Sequence, residues 1–343
     1  MENKKYLIIG GAGFIGSNLA NYLLKKGESV TIFDNFSRQG TLLNLQWLQS
    51  NYPGIRIIQG DIRLDQKKLD QEVEKADVVY HLAGQVAVTT SVVNPREDFE
   101  INALGTFNVL EAVRVSKNKP ILIYSSTNKV YGQMEDIEVV EGANNYQYKS
   151  FPNGISEERP IDFHSPYGCS KGAGDQYVHD YARIYGLKTI VFRQSCIYGP
   201  RQFGIEDQGW LAWFTIASVL GKPVTVFGDG KQIRDILHVD DLVNAFELAI
   251  YNIEKTKGEI YNIGGGPNNT MSLLVLLNKL EELLAKKIAY SFSDWRAGDQ
   301  KVYVSDISKA KNDFGWEPNI SKKQGVEKLL IWVKDNKDLF KDL

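Results

Sequence analysis

Cysteine is nearly absent: of 343 residues only Cys169 and Cys196 carry a thiol. They form no CxxC pair and no zinc spacing, so a disulfide framework is excluded and a reducing cytoplasm is the expected compartment. Histidine is scarce as well. His164 and His238 stand singly, without ligand spacing, so structural roles are expected for both and no metal site. No block rich in Lys and Arg exists, and 40 basic residues face 42 acidic ones. Nothing therefore draws the chain to nucleic acid or to an anionic membrane. No apolar run is long enough to span a bilayer. The first, Tyr6 to Ile9, meets glycine at Gly10 and is too short for a signal-peptide core. Repeats and low-complexity tracts are missing too. What remains is an ordinary globular composition, with enough apolar residues for a sizeable core in one large or two modest domains.

What is present alternates. Tyr6 to Ile9 reads as a buried strand, followed at once by Gly10-Gly11-Ala12-Gly13-Phe14-Ile15-Gly16 and the helical pattern Ile15, Leu19, Tyr22, Leu23. Gly11, Gly13 and Gly16 fit G-x-G-x-x-G, and Gly10, Gly13 and Gly16 fit G-x-x-G-x-x-G. Such glycines allow a tight turn and let the backbone approach a pyrophosphate at the helix N-terminus. The second strand, Val30 to Phe33, ends in Asp34, where an acid accepts hydrogen bonds from an adenosine ribose and repels a 2′-phosphate. Arg38, close by in sequence, is the feature that would admit NADP. Further strands are expected over Arg56–Gln59, leading to Asp61, over Asp77–Leu82, leading to Ala83-Gly84-Gln85, over Pro120–Ser125 and over Lys188–Arg193. Pro95 to Val115 reads as one long helix carrying Asn102. Strands alternating with helices imply a doubly wound parallel α/β sheet, a Rossmann architecture, whose ligands bind beyond the carboxyl ends of the strands. Asp61, Gly84, Thr127 and the helix that begins at Ser165 would converge on that crevice.

That helix carries a second pattern. Ser165 suits its cap and Pro166 its first position. Tyr167 and Lys171 are four apart and share a face. A free phenol titrates near 10 and is a poor base at neutral pH; an ammonium one turn away is expected to lower it and make the pair a proton shuttle for a hydroxyl group. Thr127, in Ser125-Ser126-Thr127-Asn128-Lys129-Val130-Tyr131-Gly132, is placed to hydrogen-bond the same oxygen.

Gly10 to Gly16, Asp34, Asp61, Ser125 to Gly132, Tyr167 with Lys171, and Tyr198-Gly199-Pro200-Arg201-Gln202 together resemble the extended short-chain dehydrogenase/reductase family over essentially the whole chain. Its members are mostly nucleotide-sugar epimerases, dehydratases and decarboxylases. The resemblance implies a catalytic triad of Thr127, Tyr167 and Lys171. It implies NAD held by Gly10, Gly13, Phe14, Ile15, Gly16, Asp34, Asn35, Ser37, Arg38, Asp61, Ile62, Leu82, Ala83, Gly84, Asn102, Tyr167 and Lys171, with Asn102 near the nicotinamide and Asp61-Ile62 at the adenine. It implies a nucleotide sugar held by Gln85, Thr127, Asn128, Gln208, Arg234, Arg296 and Asp299. Residues 1–194 would be the NAD-binding domain and 195–343 a smaller mixed α/β nucleotide-sugar domain, with a segment near 235–263 returning to the large sheet. A homodimer or homotetramer is expected.

Within the family, dehydratases place an Asp-Glu pair directly after the threonine, and this chain has Asn128-Lys129. The acid and base for water elimination are missing. Lys129 would serve as a base only if burial lowered its pKa strongly, with His164 the other candidate nearby. His81 to Ala87, Asp162 to Lys171 and Asp207 to Trp210 resemble the branch that inverts C2 of CDP-linked hexoses; inversion at C4 of a UDP-hexose is the alternative, and a catalytically inactive NAD-binding sensor a remote one. Gly132 to Arg159 is longer and more polar than a connection needs and is either a lid or decoration. Gly228 to Asp235 reads as a charged turn, and Trp210–Leu220, Ser272–Leu284 and Gln324–Asn336 as helices.

Overall fold

A computed structural model describes residues 3–296 and 298–341. Fifteen strands occur among them. In chain order they are β1 (Lys5–Ile9), β2 (Ser29–Asp34), β3 (Arg56–Gln59), β4 (Val78–His81), β5 (Ile121–Thr127), β6 (Val139–Glu141), β7 (Tyr146–Tyr148), β8 (Thr189–Gln194), β9 (Cys196–Tyr198), β10 (Val224–Phe227), β11 (Ile233–His238), β12 (Ile260–Ile263), β13 (Thr270–Ser272), β14 (Tyr290–Ser293) and β15 (Val302–Tyr303). Seven build one sheet in the order β12-β8-β5-β4-β1-β2-β3. Every neighbouring pair in it is parallel.

Alternation within each strand explains the two covered faces. Ile8, Tyr80, Ile123 and Phe192 point into one apolar layer, under the helices Phe14–Lys25 and Val239–Tyr251. Leu7, Ile9, Val79, Leu122, Tyr124 and Val191 point into the opposite layer, under Gly105–Val115 and Pro166–Tyr185. A third apolar cluster, holding Leu211, Phe214, Leu276, Leu277, Leu329 and Val333, belongs to the helices Trp210–Leu220, Leu273–Leu284 and Lys322–Asp335. The order of the large sheet reverses at β1. A crevice therefore opens beyond the carboxyl ends of β1 and β4.

One expectation is corrected. The charged turn ends at Gln232, and Arg234 and Asp235 lie inside β11, which pairs with β9, β13 and β15. Asp235 is tolerated there because Ser195 Oγ donates to its Oδ1 at 2.5 Å and the Gly266 N–H to its Oδ2 at 3.2 Å. The long helix carrying Asn102 runs without a break through Pro95–Phe99, a π-helical turn Glu100–Leu104, and Gly105–Val115, as expected, with the π-turn as the added feature. The Gly132–Arg159 stretch contains the β6–β7 hairpin, tied to residues from later in the chain where the Tyr146 N–H donates to Lys231 O and Tyr148 Oη to Val302 O.

Candidate active site

One cleft of about 610 Å³ lies at the reversal point. Its floor is the glycine turn. Gly10 has φ +82°, and a Cβ there would stand 2.6 Å from Ala83 N; at Gly16 a Cβ would stand 2.3 Å from Gly10 O. The helix Phe14–Lys25 starts at Gly13, which offers no side-chain cap. The amides of its first turn, at Phe14, Ile15 and Gly16, are therefore left for an anion. Backbone approach of this kind, with no room for side chains, fits a dinucleotide pyrophosphate.

Asp34 closes one wall. Its Oδ2 accepts from Ala12 N at 3.0 Å and its Oδ1 from Phe36 N at 2.9 Å. Burial pushes its pKa above the ordinary carboxylate value, against those two bonds and the nearby Arg38. Asp61 is held at about 2, chiefly by the Arg63 side chain; Asn35 Nδ2 donates to it at 3.0 Å, and Asn35 Oδ1 accepts from Ser37 N. Ile62, Leu82, Ala83 and Gly84 also line the cleft. Arg38 reaches across it and donates to Gln208 Oε1, joining residues far apart in the chain.

Tyr167 and Lys171 stand on the helix Pro166–Tyr185, whose start is set by Ser165 Oγ accepting from Gly168 N at 3.0 Å, with Pro166 in the first turn. Both side chains are buried and both face the cleft. The expected electrostatics are corrected. Burial raises Tyr167 to about 12, and the group that lowers it most is the hydrogen-bonded Thr127 hydroxyl, followed by Arg38. Lys171 Nζ instead donates to Ser125 O at 2.5 Å and sits 4.3 Å from the centre of the Tyr124 ring. Burial lowers Lys171 to about 7, and Asp175 and Asp98 push it back up.

Asn102 does not line the cleft. Its Nδ2 donates to Gln85 O, Asp98 Oδ1 and Ser170 Oγ, and its Oδ1 accepts from Gln85 N. It ties the loop after β4 to the Tyr167 helix from behind. The Gln85 side chain is folded onto its own loop, bonded to the backbone of Ala87. Asn128 Oδ1 lies 3.4 Å from Thr127 Oγ1. Arg234, Arg296 and Asp299 also stand outside the cleft lining. Arg234 pairs with Asp299 at 3.7 Å; Arg296 donates to Glu206 O at 3.0 Å and lies 3.6 Å over the Phe227 ring.

Several residues of the site were not singled out from sequence. Ser170 and Asp98 carry the support of Asn102, with Ser170 Oγ donating to Asp98 Oδ2 at 2.5 Å. Ser170 is three residues past Tyr167 and Asp98 four before Asn102, so helical spacing was the available signal. Gln194 lines the cleft from the second half of the chain, beside Cys196 and Trp210; Trp210 belongs to the Asp207–Trp210 motif, and the sequence gives neither it nor Cys196 a role in the site. Among the described residues no cluster suited to a metal ion exists, and no helix is long and apolar enough to cross a membrane.

The same architecture recurs in known proteins. A family model described as GDP-mannose 4,6 dehydratase matches residues 7–329. CDP-paratose 2-epimerase of Salmonella typhi is 47% identical over 336 residues, which cover 96% of this chain and 99% of that protein. The crystal structure of UDP-glucose 4-epimerase from Thermotoga maritima with UDP-glucose matches with a TM-score of 0.83 at 31% identity, over 97% of this chain and 99% of that one. UDP-glucuronic acid 4-epimerase from Bacillus cereus, in complex with UDP-glucuronic acid and NAD, matches with a TM-score of 0.83 at 30% identity, over 96% and 99%. A parallel sheet reversing at a glycine turn, with relatives matched almost end to end, leaves one assignment: the chain belongs to the GDP-mannose 4,6-dehydratase family, within the extended short-chain dehydrogenases/reductases.

Proposed function

We propose that this protein is an NAD-dependent epimerase that inverts C2 of a CDP-linked hexose. The observation that carries the reading is the convergence of Thr127, Tyr167 and Lys171 on the cleft floored by the Gly10–Gly16 turn. The 47% identity to a CDP-paratose 2-epimerase supports C2 as the carbon and CDP as the carrier.

The glycine turn fits NAD because only backbone borders its tightest part. Asp34 disfavours a 2′-phosphate by charge. NAD, when bound, would supply a hydride acceptor and donor and a positive ring charge beside the sugar. The remaining work falls to the chain. Tyr167 Oη takes the proton of the C2 hydroxyl as C2 becomes a ketone, and gives it back after the sugar has turned its other face. A phenol held at about 12 is protonated when the site is free, so proton acceptance must await added positive charge in the cleft. Thr127 donates to the oxygen that gathers charge. Lys171, braced on Ser125 O, is lowered to about 7 by burial against the pull of Asp175 and Asp98, so near neutral pH it supplies positive charge below the reacting groups in its protonated form and can exchange that proton.

Dehydration is disfavoured by Asn128, which cannot titrate, and by Lys129, which at about 8 remains mostly an acid at neutral pH. We place the enzyme in the cytoplasm, with both thiols free. We further propose that it pairs with a second copy through the helices Gly105–Val115 and Pro166–Tyr185, whose Phe107, Tyr177 and Ile184 are exposed side chains of one apolar face. Light scattering should then give a dimer or tetramer, and a monomer would refute the pairing. The function itself is tested by incubation with CDP- and UDP-linked hexoses followed by sugar analysis. Inversion at C2 of a CDP-hexose is expected; inversion at C4 of a UDP-hexose would replace the reading.

A further inference from the structure

Two lysines flank the Thr127 turn, Lys171 buried and Lys129 half-buried, and they differ in how their charge is met. Lys171 has Asp98 and Asp175 to offset it. Lys129 has one carboxylate facing it, Asp299, and shares it with Arg234. It begins the turn after Thr127, its own N–H donating to Thr127 Oγ1 at 3.2 Å, and it lines the cleft. Its Nζ makes one hydrogen bond, to Gly298 O at 3.0 Å. No carboxylate lies within ion-pair distance of it among the described residues. The charged and titratable groups facing it are the Arg234 guanidinium from β11, the Asp299 carboxylate from the 298–300 segment and the Cys196 thiol from β9. Asp299 is already paired with Arg234, at 3.7 Å. Burial holds the Cys196 thiol above its ordinary value, so it stays neutral. Two cations thus share one carboxylate. An ammonium has three donors, and two here have no protein acceptor among the described residues.

A second observation lies beside the first. Gln194 is opposite Thr127 in the β5–β8 register, is 6% exposed and lines the same cleft. Its Nε2 has no partner among the described residues. A buried donor without an acceptor costs free energy unless a ligand satisfies it. A half-buried cation next to another cation favours an anionic ligand as well.

We propose that Lys129 and Gln194 form a donor pair that binds the anionic glycosyl-phosphate portion of the substrate, Lys129 as the cationic ligand and Gln194 as the neutral one. The assignment rests on the nucleotide-sugar reading of the site. It also explains why lysine is useful where an eliminating enzyme has a carboxylate: a second anion here would repel the substrate's phosphate. Uncompensated positive charge is left in the fold to be neutralised on binding. Burial has lowered the Lys129 ammonium to about 8, and an anion beside it would raise that value. Affinity for a diphosphate should therefore be full below about pH 8 and fall as pH rises through it.

Calorimetry on the intact NAD-loaded protein tests this, with CDP, UDP, CDP-glucose and inorganic pyrophosphate as probes. Lys129→Met should weaken CDP-glucose binding by about 10- to 100-fold, the range for one charge-assisted hydrogen bond. Lys129→Arg should stay within a few-fold of the parent and lose the decline above pH 8. Gln194→Leu should weaken binding by a smaller factor. If the Met variant folds poorly, the pH dependence of the unmodified protein decides: constant CDP affinity from pH 7 to 9.5 overturns the assignment. So does a Lys129→Met protein that binds as the parent does, even if turnover is lost, because Lys129 would then act in the chemistry and not in binding. A parent protein that prefers UDP to CDP, with the Met variant weakened toward both, leaves the donor pair standing and overturns the choice of nucleotide. A parent that binds none of the four overturns both.

Discussion

Replacing Asp34 by Asn separates what this residue does for the fold from what it does for a ligand. The carboxylate accepts two backbone N–H groups, from Ala12 and Phe36. An amide has one oxygen, so one of those donors loses its acceptor, at about 1–3 kcal/mol. Against that stands the cost of the charge. The folded pKa of Asp34 is raised by burial, so folding disfavours its ionised form. That penalty sets in as pH rises above the unfolded value and is complete above the folded one. At pH 7 the amide loses a hydrogen bond and escapes the desolvation of a charge. The two effects oppose, and the melting temperature should move by only a few degrees. Cofactor choice should move far more. Like charges about 4 Å apart repel by about 4 kcal/mol at an effective dielectric near 20, and hydration and Arg38 return part of it. The ratio of NADP to NAD affinity should rise at least tenfold, on the order of 1.4 kcal/mol. Differential scanning fluorimetry and titration of both cofactors into stripped protein measure the two quantities. Collapse of stability with an unchanged cofactor ratio would refute the reasoning, as would a parent protein that binds NADP as tightly as NAD.

Other outcomes follow from the same geometry. Tyr167→Phe keeps the ring and deletes the proton acceptor, so kcat should fall by about 10²-fold or more while NAD stays bound; a fully active Phe variant would mean another base. Arg234 and Arg296 stand outside the cleft lining, and the family resemblance alone assigns them to the diphosphate: Arg234→Ala and Arg296→Ala should each raise KM for the nucleotide sugar and leave NAD retention intact, and loss of NAD would reassign them. His238, held near 4 by burial, is neutral in the fold and charged in the unfolded chain below about 6.5, so stability should fall as pH drops through that window. His238→Gln should flatten the decline by up to one proton, about 1.4 kcal/mol per pH unit, and an unchanged slope would refute the assignment.

Local patterns are readable from sequence, and distant partnerships are not. The Gly10–Gly16 turn, Asp34 at the end of β2 and the Ser165-Pro166 start of the Tyr167 helix are set by spacing and backbone chemistry within a few residues. Strand β11 escapes a local reading because Arg234 and Asp235 resemble turn residues; what buries Asp235 is Ser195 and Gly266, far away in the chain. Spacing puts Tyr167 and Lys171 on one face but does not show that burial raises the phenol or that Lys171 reaches to Ser125, because both belong to the tertiary structure. Asn102 is central, yet as a tie behind the wall: its amide is consumed by Gln85, Asp98 and Ser170. The Arg38–Gln208 contact across the cleft has no local signal at all.

The central claim is that C2 is inverted by removing and returning its own hydrogen. A proton-transfer route would need an acid and a base on opposite faces of the ring, and of the two positions after Thr127 only Lys129 can titrate. The direct measurement uses a CDP-hexose deuterated at C2, turned over in ordinary water, and the unlabelled sugar turned over in heavy water. The account predicts that the C2-inverted product keeps its deuterium in the first case and gains none at C2 in the second. Loss of the label, or solvent deuterium at C2, would contradict it.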